Sequence, residues 1–265
     1  MLKLGNKFFL IKFVTMRYYV IIGIISLFSL ISCKKNNPNP ETKIDYLEID
    51  MLPFYGSNGN DLLELDSVYT TPEGYRVKFT DIKCYFTFLS NGSTILSQAA
   101  YFDFREKGNQ LLRVEGDYSK FSSIQGIIGV DSSLNHDDPS AFPNDSPLNI
   151  SNAGQMHWGW NTGYIFFNIE GKADTITDDV DNLNHSFSFH IGTDNYDQPF
   201  NFSNLTWVDL GNNTHRLQWK LNMFSFLHTI NPVDLKTEFL THTGAGQQTL
   251  TEKITSNFGQ SISPF

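Results

Sequence analysis

The chain has little cysteine: Cys33 and Cys84 are the two in 265 residues. A pair so placed gives no disulfide framework and no C-x-x-C redox or zinc motif, so a buried core must hold the fold. Familiar catalytic signatures are missing too. No H-E-x-x-H, G-x-S-x-G, phosphate-binding P-loop or G-x-G-x-x-G occurs, which leaves common hydrolase and nucleotide sites without support, and no catalytic residue is assigned. No internal repeat is visible. Basic charge is scarce, with 19 Lys and Arg against 28 Asp and Glu. An acidic chain is poorly suited to nucleic acid, whose phosphates require Lys and Arg.

Acidic residues are absent from one region. Residues 1–32 carry Lys3, Lys7, Lys12 and Arg17 and no Asp or Glu. A short apolar run, Tyr18 to Ile31, follows and ends in Leu30-Ile31-Ser32-Cys33. About 20 apolar residues are needed to span a bilayer, so the run reads as the h-region of a signal peptide. Leu-Ile-Ser-Cys looks like a bacterial lipobox, which makes Cys33 the lipidated residue. Met1 or Met16 can serve as the start. Residues 33–42 are polar and proline-broken, as in Asn36-Asn37-Pro38-Asn39-Pro40, and read as a tether. The expected product is anchored through its lipid to the cell envelope, at the periplasmic or surface face of the outer membrane. The whole chain carries −9 and the leader contributes four positive charges, so the remainder stands at −13.

Residues 43–265 read as one mainly β domain. Candidate strands are 44–51, 75–89, 99–104, 111–114, 124–130, 164–169, 186–191 and 216–223, separated by Gly, Asn, Asp, Ser and Pro. Leu217, Trp219 and Leu221 alternate with Arg216, Gln218 and Lys220, the pattern of a strand with one buried face. Many short strands without intervening helices predict a β-sandwich or distorted barrel with long loops. A short C-terminal helix is expected over 250–258. Cys84 lies in a strand-like stretch, where a buried thiol is inert. Long loops are expected at 131–163 and 171–184.

The first loop concentrates metal-binding and aromatic side chains. His136, His157, Trp158 and Trp160 fall within residues 136–160, in a chain with seven His and four Trp. Imidazole is the commonest metal ligand and suits copper, zinc, iron and nickel. Asp137 or Asp138 can orient a ligating His136. Equally, His136 can cap a turn while the tryptophans pack the core. In Phe187-Ser188-Phe189-His190-Ile191, alternation puts His190 on the face opposite the apolar side chains. His242 is a weaker candidate; His185, His215 and His228 lack distinguishing context.

Several segments together resemble the MbnP-like proteins: Gly129-Val130, Leu134-Asn135-His136-Asp137-Asp138-Pro139, Pro147-Leu148-Asn149, Met156-His157-Trp158-Gly159-Trp160-Asn161-Thr162-Gly163-Tyr164 and Phe189-His190-Ile191-Gly192. The resemblance implies a β-rich, copper-binding, non-enzymatic protein for copper acquisition, storage or delivery. It further implies that one tryptophan, Trp158 or Trp160, is oxidised to kynurenine by a diheme peroxidase-like partner. His136 and His190 would then share the copper with the kynurenine amine, and His157 stands behind them. The alternative is a surface module that binds glycan or peptide on exposed Trp158 and Trp160.

Overall fold

Alternating and continuous apolar runs become fifteen strands in two curled sheets among the described residues. The computed structural model describes residues 44–56, 59–159, 162–177 and 182–265. The expected leader, Cys33, the expected tether and Trp160 lie outside them.

One sheet has six strands: β1 (Tyr46–Tyr55), β2 (Asp61–Leu62), β6 (Gln110–Glu115), β12 (Val208–Gly211), β13 (Thr214–Asn222) and β15 (Ile262–Pro264). Its centre is the parallel pair β1–β13, with Ile49 opposite Leu217 and Met51 opposite Trp219. The other has nine: β3 (Tyr69–Thr70), β4 (Arg76–Ser90), β5 (Ile95–Asp103), β7 (Ser123–Ile128), β8 (His157–Gly159), β9 (Gly163–Asp174), β10 (His185–Gly192), β11 (Gln198–Ser203) and β14 (Leu240–Thr241). Here β9 lies between β4 and β10 and is antiparallel to both.

The sheets meet over an aromatic core. Leu217, Trp219 and Leu221 are buried, as the alternation of β13 predicted. Trp219 reaches across to Phe86, Phe200 and Phe202 of the larger sheet, with ring centroids 5.3–5.6 Å apart. The expected C-terminal helix forms as Gln248–Ser261 and buries Ile254 and Phe258. Phe258 stacks on Phe167 of β9 at 4.1 Å. Cys84 is fully buried, and that burial pushes its thiol up.

The long loops differ from expectation. Residues 131–163 contain short helical turns at Ser132–Asn135 and Ile150–Ala153, then β8. Caps form them: Asp131 accepts from the Ser133 N–H and Asn149 from the Ser151 N–H. The expected loop at 171–184 begins as strand, because β9 runs on to Asp174. Gly171, where that loop was expected to begin, permits close packing instead. A Cβ there would fall 2.2 Å from Phe187 Cζ and 2.3 Å from the Lys78 carbonyl.

Trp219 joins the two sheets, so its truncation opens the centre of the core. Trp219→Ala is expected to cost about 3–5 kcal/mol in denaturant unfolding, with the fold otherwise retained.

Candidate metal centre

Three separate segments, the turn Ser132–Asn135, the stretch His242–Thr243 and β8, converge on the end of β10. The first is the turn Ser132–Asn135, which buries Leu134 and Asn135. The Asn135 side chain accepts a hydrogen bond from the Tyr164 N–H at 2.8 Å and donates one to Asp194 Oδ1 at 2.8 Å. Gly163, at φ 71°, makes this possible, since a Cβ there would sit 2.1 Å from Asn135 Oδ1. Asp194 opens a 3₁₀ turn just beyond β10. Its other oxygen, Oδ2, lies 3.0 Å from Nε2 of the half-exposed His136.

The carboxylate on His136 is therefore Asp194, and neither Asp137 nor Asp138 takes the orienting role expected of them. Asp138 closes a turn instead, accepting from the Ser140 N–H and hydroxyl, bonds that hold its carboxyl below the usual range. Asp137 and Asp138 act at a distance on Tyr164. Burial first, then their negative charge, pushes that phenol up to about 12.

His190 sits where alternation put it. Phe187, Phe189 and Ile191 are buried, and His190 lies on the opposite face with Ser188 and Gly192. Its Nε2 is 2.7 Å from Glu170 Oε1 and 3.1 Å from Ser188 Oγ. The bond to His190 holds the Glu170 carboxyl below the ordinary range despite partial burial. The ring lies parallel to His242, with centroids 4.4 Å apart and an interplanar angle of 6°. His242 Nε2 is 3.2 Å from Ser188 Oγ, and burial together with the His190 charge lowers its basicity. Thr243 fixes this corner by donating to the His190 carbonyl and accepting from the Gly192 N–H.

The third segment is β8. His157 pairs with Tyr164 across the strands, its ring edge-on to the phenol at 4.7 Å, and burial lowers its basicity. Trp158 is partly buried, and its ring lies on Gly192. A Cβ on Gly192 would meet Trp158 Cζ3 at 2.7 Å and the Tyr164 carbonyl at 2.6 Å. Glycine at 192 therefore makes room for the indole.

The imidazole donors, with the thiol buried elsewhere, suit copper, zinc, iron and nickel alike. Their present arrangement is not a closed site. Among the described residues, no three His, Cys, Asp or Glu side chains are placed to hold one ion. His190 and His242 are stacked parallel, so their in-plane lone pairs run side by side rather than converge. His136 and His190 each hold a carboxylate.

Glu170, Asp194 and the Asn135 contacts escape sequence reasoning, and His242 takes a larger place here than its sequence context suggests. Glu170 stands opposite Ser188 only through the β9–β10 register. Asn135 was visible in the motif, but nothing local shows that its amide bonds to residues 164 and 194. Asn135→Ala removes both bonds and leaves the Tyr164 N–H without its acceptor. A loss of about 1–3 kcal/mol is expected for each buried group left unsatisfied, read in thermal or denaturant unfolding.

The MbnP family model matches residues 45–245. Among solved structures, MbnP from Methylosinus trichosporium is similar, at 14% identity and a TM-score of 0.42, over 72% of this chain and 82% of that one. Comparison with curated proteins finds no match. The family match spans most of the chain, which is therefore a member of the MbnP family, a family associated with copper.

Proposed function

We propose that this chain is an exported lipoprotein, anchored through Cys33, that binds copper as cargo for acquisition, storage or delivery. His136 and His190 are the principal ligands, with a kynurenine formed from Trp158 or Trp160 as a further nitrogen donor and His157 in reserve. What supports the reading is the gathering of these groups at residues 190–194. His190 begins the stretch, Gly192 lies under the Trp158 ring, and Asp194 holds His136. Copper bound at the same Nε2 atoms would displace Glu170 from His190 and Asp194 from His136, and each carboxylate would stay near enough to neutralise the bound charge.

The tryptophan requires modification before it can serve. The indole nitrogen lone pair belongs to the ring and ligates poorly. Oxidative cleavage of the C2–C3 bond adds an oxygen atom to each carbon, and hydrolysis of the formyl group releases formate and leaves an aryl amine. The oxidising equivalents come from peroxide or dioxygen through a diheme peroxidase-like partner. The chain itself is then a binding protein rather than an enzyme. The alternative glycan or peptide module is less well supported, since Trp158 packs against Gly192 and the core instead of standing free as a stacking platform.

The test is mass spectrometry of the tryptic peptide Phe121–Lys172 from protein isolated from its native host. That peptide has no internal Lys or Arg and holds His136, His157, Trp158 and Trp160 together. Kynurenine at Trp158 or Trp160 is the expected result. Two intact indoles in copper-loaded protein would overturn the kynurenine ligand and leave histidine-only binding.

A further inference from the structure

A line of tyrosines runs from the Trp158 strand to an open groove. Tyr164, paired with His157, is fully buried and meets Tyr85 edge-on at 5.7 Å. Tyr85 is also fully buried and stacks on Tyr101 at 4.8 Å, with an interplanar angle of 28°. Tyr101 borders a groove of about 1110 Å³ and a second cavity of about 300 Å³ beside His190. The Trp158 ring approaches this line across Gly192, where a Cβ would meet Trp158 Cζ3 at 2.7 Å and the Tyr164 carbonyl at 2.6 Å.

The hydroxyl partners differ in kind. Tyr85 donates to the Pro147 carbonyl and Tyr164 to the Leu148 carbonyl. Tyr101 donates to a carboxylate, Asp103 Oδ2, at 3.2 Å. A phenol that loses an electron becomes a strong acid, and a buried unpaired charge is costly. A backbone carbonyl cannot take the proton, whereas a carboxylate can. Lys83 Nζ, 3.8 Å from Asp103 Oδ2, also bonds Asp81 at 2.7 Å, so it keeps a carboxylate partner once Asp103 is protonated. Lys107 lies over the Tyr101 ring at 4.8 Å and opposes charge on the ring itself, which favours the neutral radical over the radical cation.

We propose that Tyr101, Tyr85 and Tyr164 form a relay that draws an oxidising equivalent away from Trp158, with Tyr101 as its resting place. The step balances as follows. A high-potential outer-sphere acceptor takes one electron from the Trp158 indole. The indole recovers that electron through Tyr164 and Tyr85 from Tyr101. The Tyr101 proton passes to Asp103, giving a neutral tyrosyl radical and a carboxylic acid. The relay competes with any chemistry that needs Trp158 to stay oxidised, and it stands without copper or a heme partner.

The test uses the full chain and photogenerated tris(bipyridine)ruthenium(III), itself reduced to ruthenium(II). Freeze-quench electron paramagnetic resonance reads the tyrosyl radical, and peptide mass spectrometry reads oxidation at Trp158. Tyr101→Phe is expected to abolish the dominant tyrosyl signal and to raise the yield of oxidised Trp158. Asp103→Asn keeps the shape and the side-chain oxygen that accepts from the Glu106 N–H but cannot take the proton, and is expected to lose the signal likewise. Tyr85→Phe cuts the line and is expected to raise Trp158 oxidation as Tyr101→Phe does. A wild-type tyrosyl signal in Tyr101→Phe overturns the assignment. Wild-type Trp158 oxidation in Tyr85→Phe overturns the relay and leaves Tyr101 as a surface trap.

Discussion

The Asn135 side-chain amide ties its own turn to β9 and to the stretch beyond β10, and the site depends on that tie. Its oxygen holds the start of β9 through the Tyr164 N–H, and its nitrogen holds Asp194 beyond the end of β10. One turn of chain further, Asp194 holds His136. The amide is almost fully buried, so neither bond has water as a ready substitute. Gly163 serves the same constraint from the other side, since any side chain there would displace the amide. The pairing of β8 with β9, and so the positions of His157 and Trp158, begins where this clamp ends.

On that frame the donors are arranged as partners of carboxylates. Glu170 and Asp194 each occupy an imidazole that a metal would need. Both contacts are partly exposed, so solvent screens them and each is worth little to stability. A weak, screened partner is one that a metal can displace. A parallel pair such as His190 and His242 does not present both rings to one ion as it stands. The Gly192–Trp158 contact makes the indole a neighbour of the β10–β14 edge.

Much of the fold was legible because one physical rule governs it. Alternation marked the buried faces of β10 and β13, and it placed His190 opposite Phe189 before any register was known. The C-terminal helix was legible for the same reason, as an apolar stripe with helical spacing. The loop expected from residue 171 starts only beyond Asp174, because Gly171 serves close packing against Phe187 and Lys78 instead of a turn. Asp194 was invisible as the partner of His136 because the two are 58 positions apart and their meeting depends on the Asn135 clamp. Local spacing favoured Asp137 and Asp138, yet Asp138 is drawn to the nearer backbone of Ser140, as aspartates in turns commonly are.

The central claim is that copper is held at the end of β10 by imidazole nitrogen. Equilibrium copper titration of the wild-type chain against His190→Ala tests it most directly. Loss of an outer partner to a ligand costs roughly 10–100-fold in metal affinity, so loss of His190 itself is predicted to weaken binding beyond that range. Unchanged affinity in His190→Ala would contradict the account and move the copper site elsewhere in the chain.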